Sequence, residues 1–284
     1  DEKGFNEEMA KQKARARNAA AVENGDWEII RDGEQEFVGY DHTEYSCHIL
    51  RYRKVTQKKS FHFELVLDRT PFYGEMGGQV GDQGSLVNDD ETVAILDTKR
   101  ENNQSIHIVG ELPKDLKAEF MACVDVEKRN ASAANHTATH LLDYALKQVL
   151  GDHVEQKGSY VDPTTLRFDF SHFQKVTDEE LRRVERLVNR LVREDLPLDE
   201  HRDIPLAEAR QLGAVALFGE KYGNIVRMVE IGGEFSRELC GGTHVGTSSE
   251  IGSLTLLTEQ SVGSGNRRVE ALVGMNSFEH LAAE

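Results

Sequence analysis

The sequence has 284 residues, 34 Lys and Arg against 50 Asp and Glu, and a formal net charge of −16. With 38% hydrophobic residues, twelve Phe and seven Tyr it can bury one large core or two ordinary ones, which excludes a disordered chain. Three cysteines are too few for a disulfide scaffold, no apolar run reaches about eighteen residues, and the charge excludes a surface that binds nucleic acid everywhere, though not a local basic groove. A cytoplasmic protein with no membrane contact is expected. Because the sequence starts at Asp1, it is expected to be a piece of something longer.

Residues 6–23 predict a helix, alanine-rich and free of Gly and Pro, carrying Lys11, Lys13, Arg15 and Arg17. From about Trp27 to Val126 short β-like runs follow, such as CHILRYRKV, FHFELVL and SIHIV, divided by Asn88-Asp89-Asp90 and Asn102-Asn103. Closely spaced short strands predict a small barrel or a strongly bent sheet. Residues 128–150 then predict a long helix stopped by Gly151, with strands at HVEQKGSYV and LRFDF after it. Thr177 and Glu180 form a capping box ahead of an amphipathic helix to about Glu194, and Pro205 opens a short helix closed by Gly213. Strands near Ile225–Ile231, Ile251–Leu257 and Arg267–Val273 complete an α+β class: a small β-barrel-like domain, then a second α+β domain. The expected boundaries are 1–24 for a helical linker, 25–126, 127–274, and 275–284 for the start of a further helix.

His136 and His140 in NHTATHLL are four apart, so both rings stand over one point of a helix. They project away from the apolar stripe of Ala134, Ala138, Leu141, Leu142, Ala145 and Val149. A second pair, Cys240 and His244, is spanned by Gly241-Gly242-Thr243, a poor helix former that favours a turn. Three imidazoles and a thiolate suit one tetrahedral Zn²⁺. The zinc-peptidase pattern needs Glu after its first His, and this chain has Thr137 there. Four protein ligands normally leave no open position, so a structural and a catalytic role both stay open.

NHTATHLL, HVEQKGSYV, LRFDFSH, ALFGEKYG, SRELCGGTHV and GNRRVEAL, in that order, resemble the editing region of alanyl-tRNA synthetases. The run from Asp68 to Asp82, DRTPFYGEMGGQVGD, is similar to a segment of those enzymes and of their free-standing editing relatives. The threonyl-tRNA synthetase editing domain is similar in its four metal positions. The opening GFNEEMAKQKARAR resembles the junction after the aminoacylation part, whose ATP-dependent domain would lie outside this sequence. The resemblance implies hydrolysis of Ser-tRNA(Ala) and Gly-tRNA(Ala), because a pocket for alanine cannot strongly reject glycine or one added hydroxyl. It implies zinc ligation by His136, His140, Cys240 and His244, and catalytic roles for Thr139 and Gln156 beside them. Glu155 and Asp143 are spare carboxylates.

Gly77, Gly78 and Gln79, with Gly241 and Gly242, are expected at the substrate pocket, where glycine lets backbone come close. The family usually has Gly-Gly-Gly-Gln where this chain has Met76-Gly77-Gly78-Gln79. For the tRNA(Ala) acceptor end the candidate contacts are Arg51, Arg53, Lys54, Arg267 and Arg268, with Lys58, Lys59 and the basic run at 11–17.

Overall fold

The computed structural model describes residues 22–57, 60–216, 222–233 and 236–283. Most of the helix expected over 6–23, its basic run, and Lys58 and Lys59 lie outside them; Val22–Asn24 is a strand. Among the described residues no helix is long and apolar enough to cross a membrane. The chain divides into two compact units.

The first unit runs to Gly74 and resumes over Gly81–Asp125. Its main sheet is antiparallel, in the order Thr92–Ile95, Gly84–Val87, Glu119–Val124, Glu44–Gln57, Ser60–Leu67, Gln104–Val109, Asp97–Glu101. The two ends of this path are successive pieces of one run, joined at Leu96, whose N–H donates to the Ile108 carbonyl at 2.8 Å. The result is a curled sheet rather than a closed barrel. Alternation along the strands turns Cys47, Ile49, Leu65, Leu67, Leu86, Phe120 and Ala122 into one core. Asn102 and Asn103 both take positive φ (49° and 64°), which makes the tight hairpin turn between Asp97–Glu101 and Gln104–Val109.

His107 is fully buried in this unit. Its Nδ1 lies 3.0 Å from the Leu65 carbonyl, which can only accept, so Nε2 accepts from the Thr70 hydroxyl at 2.7 Å. Burial pushes the ring down to about 4. Between that value and the unfolded value near 6.5 the unfolded chain holds the extra proton. The stabilisation from neutral His107 is therefore complete above about pH 6.5 and is lost as pH falls toward 4, roughly 3 kcal/mol in all. Urea midpoints read from Trp27, the single tryptophan and a residue of this unit, are expected to fall across that window. A His107→Gln protein that keeps the same slope would disprove this.

The second unit comprises Glu75–Val80 and everything from Val126 on. Helix α1 (Val126–Leu150) and helix α2 (Asp178–Arg193) pack on an antiparallel sheet ordered Gln156–Val161, Leu166–Ser171, Asn266–Val273, Leu254–Gly263. Ala138, Leu141, Leu142 and Ala145 of α1 meet Phe168 and Phe170 of the sheet and Val184 and Val188 of α2. Gly151 ends α1 at φ 114°, and the Thr177–Glu180 capping box starts α2. A second sheet pairs Leu198–Pro205, Ile225–Ile231 and Ser236–Leu239. The segment Glu75–Val80 adds itself to the first sheet: Val80 N–H donates to Val161 O, and Val161 N–H to Gly78 O. The polar face of α1 is buried as well, with His136, Thr139, His140 and Asp143 each at most 7% exposed.

Candidate metal centre

The strand Ser236–Leu239 delivers Cys240, and the Cys240–His244 turn folds back over α1. The donor atoms of His136, His140, Cys240 and His244 all lie within 4.8 Å of one another. Cys240 Sγ is 3.4 Å from His136 Nε2 and 3.3 Å from His244 Nε2. Tetrahedral zinc with ordinary Zn–N and Zn–S lengths requires N···S edges of roughly 3.5 Å. The donor set and its spacing therefore fit one such cation.

The surrounding hydrogen bonds fix each imidazole in one tautomer. Thr137 Oγ1 donates its only proton to Ala133 O at 2.9 Å, so it must accept from His244 Nδ1–H at 3.1 Å. Gln79 Oε1 accepts from Thr243 N–H at 3.0 Å, and the same oxygen accepts His136 Nδ1–H at 2.7 Å. His140 Nδ1 donates to Glu238 Oε2 at 2.9 Å. Every ring thus presents an unprotonated Nε2 to the cluster, the arrangement that outer partners impose on metal-bound histidine.

Electrostatics agree with this assignment at Cys240 and His244, whereas at His140 the Glu238 carboxylate favours a second proton, on Nε2, that a bound cation would displace. Burial opposes a thiolate at Cys240, but His136 and His244 outweigh it and hold the thiol well below its usual range. Burial pushes His244 down to about 3, which keeps it neutral. At His140 burial is overcome by Glu238, which holds the ring well above the ordinary value, and Glu238 is itself lowered by His140 against the cost of its burial. Removing that carboxylate in Glu238→Ala is expected to weaken zinc affinity about ten- to a hundredfold, read by chelator competition. Affinity equal to the parent's would refute it.

The remaining candidates fall in different places. Gln79, expected in a substrate pocket, is fully buried and spends its amide on His136 and Thr243. Gly77 and Gly78 take φ of 61° and 87° in a two-residue turn closed by Met76 and Gln79. Met76 is not among the positive-φ residues, so the turn accommodates its side chain without strain. A Cβ on Gly242 would stand 2.0 Å from His136 Cε1, and this close approach is the reason for glycine there. Gly241 precedes it in the same turn. Thr139 is buried and donates to Asn135 O at 2.8 Å, leaving its oxygen lone pairs for another donor. Gln156 donates to Ser159 Oγ at 3.2 Å. Arg267 is held bidentately by Glu259 and Arg268 by Asp169. Arg51 and Arg53 stack on Trp27, Arg53 also pairing with Glu64 and Glu101, and Lys54 lies over Phe61.

Two clefts share Asp143, Lys147, Val215 and Glu238 in their walls. One, of about 310 Å³, adds Gln156; the other, of about 460 Å³, adds Leu212 and Arg237. The four donor residues line neither, and Glu238, bonded to His140, is the link between clefts and cluster. Burial first, and then the Glu238 charge, raise the Asp143 carboxyl above its usual range. Glu155 is exposed and lowered by Lys157.

Residues 1–129 match the family model of class II (A) tRNA synthetases, and residues 226–270 match that of the threonyl and alanyl tRNA synthetase second additional domain. An alanine–tRNA ligase of Bacteroides fragilis is 60% identical over 98% of this chain. Those of Porphyromonas gingivalis and Flavobacterium psychrophilum are 56% and 50% identical over 98% and 96% of it. The chain belongs to the alanyl-tRNA synthetase family. It spans 32% of the length of each of these relatives.

Within this chain, the sequence alone did not point to Glu238, Thr137 or the position of Gln79. Glu238 had a usable signal, because it precedes Cys240 by two residues and so shares its side of the strand. Gln79 had none, since it reaches its partners across 57 and 164 positions.

Proposed function

We propose that this chain carries out proofreading, hydrolysing the ester bond of tRNA(Ala) wrongly charged with serine or glycine. Residues 127–274 would form the zinc-containing editing domain and 25–126 a barrel-like companion, in a cytoplasmic enzyme whose full length joins alanine to tRNA(Ala) using ATP. Free Cys47, Cys123 and Cys240 suit such a reducing compartment. The observation that carries the reading is the meeting of His136, His140, Cys240 and His244, whose donor atoms all lie within 4.8 Å of one another.

Zn²⁺ held by His136, His140, Cys240 and His244 would supply positive charge to polarise the ester or the attacking water. The chain's own groups do the rest. Thr139 keeps its oxygen available as an acceptor for a seryl hydroxyl or for water. Gln156, in the wall of the 310 Å³ cleft, would orient the aminoacyl end. Gln79, Glu238 and Thr137 hold the imidazoles in place.

The test is deacylation of Ser-, Gly- and Ala-tRNA(Ala), with and without chelator. Hydrolysis of the first two, sparing of the third and loss on chelation are expected. A second reading, a tRNA-binding module with a structural zinc, is favoured by the four protein ligands, which fill a tetrahedron. Binding without turnover would select it.

A further inference from the structure

Asp143 lies three residues beyond His140 on α1, and it is buried, 7% exposed, in the wall of both clefts. One of its oxygens, Oδ2, accepts from Lys147. The other, Oδ1, is buried and has no hydrogen-bond partner. An unpaired buried carboxylate oxygen is costly and needs a donor. The neighbouring carboxylates are acceptors already engaged: Glu238 Oε2 accepts from His140 and Oε1 from the Ser236 hydroxyl, and Glu155 accepts from Lys157.

The charge of the 310 Å³ cleft narrows what that donor is. Among the described residues Asp143, Asp152, Glu155 and Glu238 line it with Lys147, which is already bonded to Asp143, while Glu155 is held by Lys157. A cation carrying N–H groups satisfies the orphan oxygen in a cleft whose lining acids outnumber its described lining cations. Glycyl and seryl esters share one such group, their α-ammonium, whereas only the seryl ester has a hydroxyl.

We propose that the Asp143 carboxylate receives the α-ammonium of the aminoacyl ester by turning its buried, unpaired Oδ1 toward the cleft, making this cleft a site for primary ammonium groups. The inference rests on the hydrolase reading for its substrate class. Because every aminoacyl ester carries the same ammonium, Asp143 contributes binding and orientation, and the choice among amino acids lies elsewhere. The site discriminates instead against N-acylated aminoacyl ends.

The probes are the non-hydrolysable 3′-seryl-amide of adenosine and its N-acetyl counterpart, titrated calorimetrically into the zinc-loaded chain. N-acetylation is expected to weaken binding about ten- to a hundredfold in the parent, as for loss of a charge-assisted hydrogen bond. In Asp143→Asn the two probes should bind within about twofold of each other, and Asp143→Glu should restore part of the preference. Zinc content reports whether each variant is folded. If Asp143→Asn loses zinc, Lys147→Met, which leaves both Asp143 oxygens to the ligand, should sharpen the preference. The proposal is overturned by a parent that does not bind the free-amine probe or is indifferent to acetylation. An unchanged ratio in Asp143→Asn, or in Lys147→Met where that variant stands in, overturns it too. Deacylation of Ser-tRNA(Ala) is read in parallel: an ammonium preference with no hydrolysis supports Asp143 and sinks only the hydrolase reading, whereas hydrolysis with no preference does the reverse.

Discussion

Replacing Cys240 by alanine is expected to empty the metal centre and to abolish release of serine from Ser-tRNA(Ala). The thiolate is the one anionic donor of the four, and it stands 3.4 Å and 3.3 Å from two of the others. Without it three neutral imidazoles must hold a divalent cation in a buried place, where an uncompensated charge is expensive. The loss should far exceed the ~10–100-fold of an outer-shell change. Metal content per chain, measured after dialysis, should fall from one to near zero. Zinc retained at one per chain, or serine release at the parental rate, would remove Cys240 from the centre.

Gly242→Ala is expected to do nearly as much damage while keeping every donor atom. The added methyl would lie 2.0 Å from His136 Cε1, 2.2 Å from Nδ1 and 2.9 Å from Gln79 Oε1, well inside contact distance. His136 cannot retreat without leaving Gln79, and Gln79 is itself anchored by Thr243. Overpacking of this kind costs about 1–3 kcal/mol or more, and here the strain falls on a ligand. Zinc affinity and deacylation should therefore both drop. Gly223→Ala is the control, because the nearest atom to its methyl is Ile225 O at 3.7 Å. Parental zinc affinity in Gly242→Ala would show that the turn yields more easily than its packing implies.

The clustering of His136, His140, Cys240 and His244 was legible because their chemistry and local spacing are both written in the chain: i, i+4 on a helix, and a glycine turn between Cys and His. The Thr177–Glu180 cap and the Asn102-Asn103 turn were legible for the same local reason. Asp97–Glu101 and Leu198–Pro205 were not, since they are strands of mostly charged, exposed residues without an apolar alternation. The tRNA contacts suggested by Arg267 and Arg268 could not be weighed beforehand, because Glu259 and Asp169 oppose them only after the strands pair. The sheet of the first unit is interrupted at Leu96 and shifts register between Ile49 and Arg51, and no composition signals either break.

The path of the backbone has a bearing on how this chain can be divided. Its second unit borrows Glu75–Val80 from between two stretches of the first, so the polypeptide passes from one to the other three times rather than once. A protein trimmed to begin at Val126 would keep all four ligands yet forfeit the Gln79 amide that orients His136. The smallest heritable unit of this metal centre is therefore discontinuous, and gene shuffling at the sequence position where the long helix starts would transmit its ligands without one of their supports.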